Sequence, residues 1–311
     1  MSKGAFFSII IPTYNRAHLL KIAVDSVLAQ TFTDYELIIV DDGSRDNTRQ
    51  VLDEYLKGEG CRVSGVDDNE RDTRYARRDT VIKHIYQENS GPAAARNRGI
   101  KKARGKFICF LDSDDRFRRQ KLEITYDYIK KYPQYKIFHT EEIWYRNGKI
   151  LSQKAYHKKP DGYVFNNSLK ICSISISTAA IKKEIFDRVG LFDENMPVCE
   201  DYDLWLRITS LYPVKLIPLP LTIKEGGHPS QQSKKFIAMD SFRIHAINKI
   251  LASEMLSDEQ RKEALKELNR KCGIYIKGAK KRGKKNEVKY YSNLIKMWEE
   301  NDRRAKTTIR N

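Results

Sequence analysis

The sequence predicts an α/β domain over residues 1–235, with a mostly parallel sheet flanked by helices, followed by a basic helical extension over residues 236–311. Two observations predict the α/β domain. Short β-branched apolar runs alternate with segments of helical periodicity, and a polar loop follows each run. The extension is predicted because Lys and Arg accumulate in helix-like sequence towards the C-terminus.

The elements of the α/β domain follow one another in the order of βαβ units. The run FFSIII predicts a first strand that closes at Pro12, and a helical pattern with one apolar face follows it. The run ELIIV ends at Asp41, and the turn DDGSRDNT caps a helix that begins near Thr48. The runs VIKHIY and FICFL predict the third and fourth strands, with a loop and a helix between them. Residues 57–80 are polar and aperiodic, which predicts a surface insertion between the second and third strands.

The polar loops of this unit are predicted to meet. The loops PTYNR, VDDGS and LDSDD each follow a predicted strand. Open parallel sheets bind ligands in the crevice outside the carboxyl ends of their strands. We therefore expect these three loops to form one binding crevice.

Composition excludes several classes of protein. The chain has 311 residues and 40% hydrophobic content, enough for a substantial core. Its longest apolar runs are too short to span a bilayer, and MSKGAFF lacks the long apolar region of a secretory signal, so we expect a cytoplasmic protein. The five cysteines show no CxxC spacing, which argues against a disulfide framework and a zinc site.

The formal charge of +17 implies an anionic partner. Residues 261–311 hold 17 Lys and Arg against six Asp and Glu. Most of these charges fit the solvated face of a helical tail packed on the first domain. The alternative is an electrostatic dock for anionic lipid headgroups, worth about 1 kcal/mol per basic residue. Tyr290, Tyr291, Ile295 and Trp298 suit either a lipid interface or a core.

Three carboxylates follow the fourth predicted strand within the stretch FICFLDSDDRF, namely Asp112, Asp114 and Asp115. Like charges at a crevice edge repel one another, and a hard divalent ion with oxygen ligands would remove the repulsion. In the simplest alternative, Asp112, Ser113 and Asp114 cap the helix of RRQKLEITYDYIKK. A second alternative is a phosphotransferase of the haloacid dehalogenase type, although that family has a small Thr or Val where this chain has Arg116.

A second acidic group begins the segment CEDYDLWLR at residues 199–207. The segment predicts an amphipathic helix with Leu204, Trp205 and Ile208 facing inward. Glu200 and Asp201 then lie at the helix N-terminus, where the helix dipole favours ionised carboxylates. Both residues are typical of the start of a helix, and the carboxylate of either could also accept a proton in a reaction.

Four segments together resemble the family 2 glycosyltransferases of the GT-A fold, over residues 6–225. They are SIIIPTYNR, SVLAQTFTDYELIIVDDGSRDNT, ENSGPAAARNRGIKKARGKFICFLDSDD and CEDYDLWLR. The resemblance implies transfer of a sugar from a nucleotide-diphosphate sugar, most often UDP-linked, to an acceptor hydroxyl with inversion. It also implies a Mn²⁺ or Mg²⁺ ion and a glycan or lipid-linked acceptor, in the synthesis of a cell-surface polysaccharide, lipopolysaccharide or other glycan.

The resemblance also implies roles for individual residues. Asp201 would be the catalytic base, with Glu200 beside it on the acceptor side. Asp114 would hold the metal, with His228 as a further candidate ligand. The nucleotide would contact a larger set, namely Pro12, Thr13, Tyr14, Asn15, Arg16, Asp41, Asp42, Arg96 and Asp112.

Two other classes of protein compete with this interpretation. One is the phosphotransferase named above, and the other is a nucleic-acid-binding protein that acts through its basic tail. The sequence has no RNA-binding or helix-turn-helix signature, so we expect no specific nucleic acid partner. With a basic tail and a lipid-linked acceptor, we expect the protein at the inner face of the cell membrane.

Overall fold

The computed structural model describes residues 5–57, 80–152, 158–227 and 239–308, with side chains described up to residue 302. Most of the insertion predicted at 57–80 lies outside the described residues, as does His228. The strands are β1 (Phe7–Thr13), β2 (Tyr35–Asp41), β3 (Val81–Tyr86), β4 (Phe107–Phe110), β5 (Asp115–Phe117), β6 (Ile137–Arg146), β7 (Lys149–Leu151), β8 (Ala180–Lys182) and β9 (Lys215–Gly226).

Seven of the described helices lie between the strands along the chain, and the other three follow one another after β9. They are α1 (Ala17–Leu28), α2 (Thr48–Leu56), α3 (Gly91–Lys102), α4 (Lys121–Lys131), α5 (Phe165–Lys170), α6 (Ile185–Val189), α7 (Glu200–Leu211), α8 (Asp240–Leu251), α9 (Asp258–Lys281) and α10 (Lys285–Thr308). A short 3₁₀ helix (Ile176–Thr178) precedes β8.

Within the described residues, nine strands form one sheet in the order β3-β2-β1-β4-β8-β6-β9-β5, with β7 beside β6. The four strands at one end, β3, β2, β1 and β4, are parallel. Strand β8 runs antiparallel to β4, and β5 runs antiparallel to β9. The carboxyl ends of the four parallel strands therefore meet at one edge. The α/β class predicted from the sequence is confirmed.

The parallel strands β1, β2 and β4 are mostly apolar because helices cover both faces of the sheet. Every residue of β1 and β2 is buried. Successive side chains point to opposite faces, so Ile10 packs in one core cluster with α3 while Ile9 and Ile11 pack in another with α1. This packing fixes the strands and leaves the loops beyond their ends to form a site.

The C-terminal helices pack on the α/β domain through a third apolar cluster. Tyr202 and Leu206 of α7 contact this cluster, as do Ile247 of α8 and Leu268 of α9. Trp298 is only 6% exposed, and its indole N–H donates to Asn248, whereas Tyr290 is 60% exposed. The apolar residues of the tail thus divide between core and surface. In the described part of the chain, every helix is too short or too polar to cross a membrane.

Candidate active site

A cavity of about 980 Å³ opens at the carboxyl edge of the parallel strands. Residues from all four of the sequence segments singled out above line it, although those segments lie far apart along the chain. The predicted site residues in its wall are Pro12, Thr13, Tyr14, Asn15, Arg16, Asp42, Arg96, Asp112, Asp114, Glu200 and Asp201. Asp41 is not in the wall; it is buried, and it accepts the backbone N–H of Ser44 at 2.9 Å, which shapes the turn after β2.

The loop after β1 is tied to the loop after β2. Asn15 adopts a left-handed backbone conformation (φ 51°), which is strained for a residue with a side chain. Its N–H donates to Ser44 Oγ at 2.9 Å, and its side-chain oxygen accepts the N–H of Arg45 at 2.7 Å. These contacts fix the backbone next to Arg16.

Asp42 organises the loop that leads into α3. Its carboxylate accepts the backbone N–H groups of Ser90 and Gly91 at 2.8 and 2.9 Å. The side-chain amides of Gln87 and Asn89 donate to the same carboxylate at 2.7 and 3.2 Å. Asp42 therefore lines the cavity and also holds the 87–91 loop in place, a role that the sequence interpretation missed.

Each carboxylate after β4 is paired with a basic side chain. The carboxylate oxygens of Asp112, Asp114 and Asp115 lie within 4.8 Å of one another. We expected a bound metal to relieve this repulsion, and the structure shows that basic residues of the chain itself already relieve it. The pairs are Arg96 Nη2 to Asp112 at 2.8 Å, Arg16 Nη1 to Asp114 at 3.0 Å, and Lys224 Nζ to Asp115 at 2.8 Å.

The strand pairing explains why Lys224 meets Asp115. The two residues face each other across the antiparallel β5–β9 ladder. Residues 112–115, here called the acidic loop, lead into β5. The rest of β5 separates this loop from α4, whose N-terminal cap is Gln120. The alternative in which residues 112–114 cap that helix is therefore wrong.

The three carboxylates differ in their environments. Burial raises the pKa of Asp115 to about 7, with Lys224 opposing the rise and the two neighbouring carboxylates adding to it. Burial also acts to raise the pKa of Asp112, but the positive charges of Arg96 and Lys224 outweigh it and hold that pKa below its usual value. Asp115 also accepts the hydroxyl of Ser177 at 2.7 Å, so its contacts suit a structural role.

Arg96 links the acidic loop to the start of α7. Its guanidinium donates to Asp112 at 2.8 Å and to Glu200 at 2.6 Å, and only 7% of its side chain is exposed. Burial raises the pKa of Glu200 even though Arg96 opposes the rise. The sequence interpretation placed Arg96 in the base pocket and Glu200 on the acceptor side, whereas the structure pairs them with each other.

Asp201 faces the cavity from the first turn of α7. Its Oδ1 accepts the N–H of Tyr202 at 2.7 Å, and its Oδ2 accepts the thiol of Cys172 at 3.4 Å. Asp203 is instead buried and paired with Arg207 at 2.7 Å and with Lys249 at 2.9 Å. Of these two aspartates, Asp201 is the one in the cavity wall.

The acidic loop has the donors that a hard divalent ion takes. Mg²⁺ and Mn²⁺ prefer carboxylate oxygens, and the oxygens of Asp112 and Asp114 are close together at the cavity wall. Both side chains are partly exposed, at 26% and 14%. The residues present therefore fit a divalent ion. The suggested ligand His228 lies outside the described residues.

The cavity wall includes residues that the sequence interpretation did not single out as site residues. Met239 and Arg243 belong to the segment predicted as a C-terminal extension, and both line the cavity. Cys172 and Ser113 line it as well. Ser113 could have been predicted because it lies between Asp112 and Asp114 in the sequence. In contrast, no local pattern distinguishes Arg243 from the other basic residues of the tail.

An α/β sheet with a cavity and an acidic loop at the carboxyl edge of its parallel strands is typical of nucleotide-dependent transferases. Residues 8–190 match the model of the family described as "Glycosyl transferase family 2", more than half of the chain, so the chain belongs to this family. It is 33% identical over 207 residues to the UDP-Glc:α-D-GlcNAc-diphosphoundecaprenol β-1,3-glucosyltransferase WfgD of Escherichia coli, covering 65% of this chain and 68% of that protein.

Solved structures of low sequence identity share the fold. Residues 1–349 of TarS from S. aureus, in complex with UDP-GlcNAc, match with a TM-score of 0.64 at 19% identity, covering 84% of this chain and 70% of that one. The mannosyltransferase PcManGT from Pyrobaculum calidifontis, in complex with GDP-Man and Mn²⁺, matches with a TM-score of 0.53 at 16% identity, covering 95% and 84%. The predicted GT-A fold is confirmed. The chain spans 27–60% of the length of five Rickettsia glycosyltransferases that it also matches.

Proposed function

We propose that the protein transfers a sugar from a UDP-sugar to the hydroxyl of a lipid-linked glycan, with inversion and with the help of a divalent ion. The observation that carries the proposal is that one cavity holds both the acidic loop at Asp112 and Asp114 and the carboxylate of Asp201. Family membership supports the sugar transfer, and the UDP-GlcNAc complex of TarS supports the donor class.

The nucleotide occupies the part of the cavity next to β1 and β2. Pro12, Thr13 and Tyr14 form a wall for the base, and Tyr14 is 41% exposed, so its ring is accessible for stacking. Asp42 keeps the 87–91 loop in the shape that closes this end. Asp112 accepts a ribose hydroxyl through a carboxylate that stays ionised beside Arg96.

Asp114, with Asp112 beside it, would hold a divalent ion, which would supply positive charge for the departing nucleoside diphosphate. The mannosyltransferase complex with GDP-Man and Mn²⁺ supports this assignment for the fold, since it has a Mn²⁺ ion together with a nucleotide sugar. Asp115 keeps the loop in place through Ser177 and Lys224.

Asp201 accepts the proton of the acceptor hydroxyl. A nucleophile that displaces the diphosphate from the opposite face of the sugar must lose its proton, and a carboxylate on that face accepts it. The hydrogen bonds from Tyr202 and Cys172 orient the Asp201 carboxylate. The hydroxyl of an acceptor held on the α7 side of the cavity then attacks the anomeric carbon of the sugar from the face opposite the diphosphate. The new glycosidic bond forms as the bond to the diphosphate breaks, which gives inversion.

The first test measures ligand-dependent stability. UDP with Mn²⁺ is expected to stabilise the fold by about 2.7 kcal/mol when UDP is present at 100 times its Kd. Asp114→Asn removes a metal ligand while keeping the side-chain shape, so we expect it to lose most of the stabilisation. The readout is the Tm with UDP alone, Mn²⁺ alone and both together.

The matched control is Asp127→Asn, an exposed aspartate on α4. It should keep the full shift in Tm. The proposal fails if the wild-type Tm does not respond to any nucleotide with Mn²⁺, or if the Asp114→Asn protein responds as the wild type does. Product analysis with UDP-sugars and diphosphoprenyl-linked acceptors then identifies the donor and acceptor.

The acceptor class also predicts a membrane contact. Residues 277–289, here called the basic hairpin, join α9 to α10 and contain seven Lys and Arg and one Glu. All seven basic side chains, for example those of Lys280 and Lys285, are exposed, and Tyr290 is exposed beside them. Such a cluster binds anionic lipid headgroups and brings the cavity to a lipid-linked acceptor, as the diphosphoundecaprenol substrate in the name of WfgD suggests.

Replacing Lys280, Lys281, Lys285 and Lys289 by Gln is expected to weaken binding to vesicles with anionic lipid by about 10²- to 10³-fold, since each basic residue contributes about 1 kcal/mol. Vesicle co-sedimentation at fixed salt measures it. The control replaces Lys101, Lys102, Lys130 and Lys131, four exposed lysines at the ends of α3 and α4, with the same change in charge. Equal losses in the two variants would rule out a dock at the basic hairpin.

A further inference from the structure

Arg16 contacts the carboxylate that we assign to the metal. Its Nη1 lies 3.0 Å from Asp114 Oδ2 and 3.4 Å from Ser113 Oγ. Both partners of the ion pair are largely shielded from solvent, with 15% and 14% of their side chains exposed. The guanidinium thus contacts a carboxylate oxygen of Asp114 that a divalent ion would also use as a ligand.

The backbone around Arg16 is rigid, whereas its side chain is long. Contacts from Asn15 and from the N–H of Ala17, which donates to Asp46 at 3.0 Å, hold the loop to the one after β2. The same loop forms the wall of the nucleotide pocket. A change of side-chain rotamer therefore suffices to move the guanidinium along that wall.

Each of the other two pairs of the acidic loop includes one deeply buried side chain, that of Arg96 or that of Asp115. Arg96 is also held by Glu200 at 2.6 Å. The side chain of Asp115 is only 2% exposed and also accepts the Ser177 hydroxyl. In the pair of Arg16 and Asp114, by contrast, both side chains line the cavity and keep some exposure, at 15% and 14%, so a cation can be exchanged there without opening the core.

We infer that Arg16 and the divalent ion exchange on Asp114, so that the guanidinium moves to the diphosphate when metal and nucleotide bind together. This inference rests on the proposed function. A guanidinium and a divalent ion repel each other at one carboxylate, whereas the negative charge of a diphosphate gives the displaced guanidinium a new partner. Arg16 then opposes metal binding without nucleotide and favours nucleotide binding with metal.

The exchange predicts opposite effects of one substitution. Without nucleotide, Arg16→Gln is expected to raise the affinity for Mn²⁺ by about tenfold, because the competing cation is gone. With Mn²⁺ present, the same variant is expected to bind UDP about tenfold more weakly, because the diphosphate loses a donor. The factor by which UDP enhances Mn²⁺ affinity should therefore fall strongly.

The experiment is a titration with Mn²⁺, followed by the electron paramagnetic resonance signal of the free ion, with and without UDP. The control is Arg116→Gln, which removes the same charge from the residue next to Asp115, where Arg116 pairs with Glu225 at 3.2 Å. Circular dichroism confirms that both variants fold. A gain in Mn²⁺ affinity for Arg16→Gln that exceeds the gain for Arg116→Gln supports the exchange.

The results separate this inference from the proposed function. If wild-type protein binds Mn²⁺ with UDP but Arg16→Gln shows unchanged or weaker binding of Mn²⁺ alone, the exchange is refuted and the proposed function stands. If the two variants gain the same affinity for Mn²⁺, the gain comes from the loss of one positive charge near the site and not from a vacated carboxylate, and the exchange is also refuted. If the wild-type protein binds no Mn²⁺ even with UDP, the metal-dependent function and the exchange both fail.

Discussion

Replacing Asp201 by asparagine is expected to lower the turnover number for sugar transfer by about 10²- to 10⁴-fold while leaving the UDP affinity unchanged. The substitution removes the proton acceptor that we propose but keeps the size of the side chain and an oxygen that accepts the Tyr202 N–H. Asp201 lies on α7, whereas the residues that we propose to contact the nucleotide lie on other elements of the cavity wall, so UDP binding should be retained.

The measurement combines transfer kinetics with UDP titration on the same preparation. The matched control is Asp258→Asn, because Asp258 is also an acidic residue in the first turn of a helix and is exposed outside the cavity. Its turnover should match the wild type. If Asp201→Asn retained full turnover, another group would be the base; if it lost UDP binding as well, Asp201 would belong to the nucleotide pocket instead.

The sequence was sufficient to predict the fold because burial on both sheet faces produces long apolar strands. Residues of β1 and β2 such as Ile9 and Ile38 have no solvent-facing alternative, so their runs stand out against the polar loops. The convergence of the loops followed from the parallel arrangement alone. The cavity accordingly holds residues from every predicted motif, from Tyr14 to Asp201.

The partners of the charged residues could not be predicted in the same way. Arg96 and Glu200 are 104 positions apart, and Asp115 meets Lys224 only because β5 pairs with β9. Such pairs depend on the register between elements that are distant in sequence, which no local pattern encodes. The repulsion within the acidic loop was correctly recognised, but the cations that relieve it within the protein were not.

Periodicity alone also left the tail ambiguous. Helical spacing did not distinguish whether Trp298 and Tyr290 are buried or exposed. In the structure Trp298 is buried against α8, whereas Tyr290 is exposed. The difference arises because one face of α9 and α10, which includes Trp298, packs in the apolar cluster with α7 and α8, whereas Tyr290 lies outside that cluster. Met239 and Arg243 reach the cavity for the same reason, since α8 packs directly against α7.

Arg96→Ala is expected to lower the free energy of unfolding by about 3–5 kcal/mol, the usual cost of removing one partner from a buried ion pair. The substitution leaves Asp112 and Glu200 close together and without their shared guanidinium. Urea unfolding at neutral pH measures the loss. The control is Arg98→Ala, two residues along α3 and exposed, which should cost little.

The loss should depend on pH in a defined direction. Without Arg96, the pKa of Glu200 in the folded state rises further above its unfolded value, and the depression of the Asp112 pKa is relieved. A carboxyl group with a raised folded-state pKa stabilises the fold when protonated, and that stability is lost as the pH rises through the folded-state pKa. The difference between wild type and variant should therefore be largest above neutral pH and should shrink on acidification.

Adding Glu200→Gln to Arg96→Ala separates charge from packing. The amide removes one uncompensated charge, so the double variant should regain about 1–3 kcal/mol over Arg96→Ala. If the loss instead stayed the same at every pH and was not reduced by Glu200→Gln, Arg96 would stabilise the fold through packing, for example against Phe192, over whose ring its guanidinium lies at 5.4 Å. A loss that varies with pH and is partly reversed by the amide requires that Arg96 couple the acidic loop to α7 electrostatically. The nucleotide side and the acceptor side of the cavity are then held in register by one buried guanidinium.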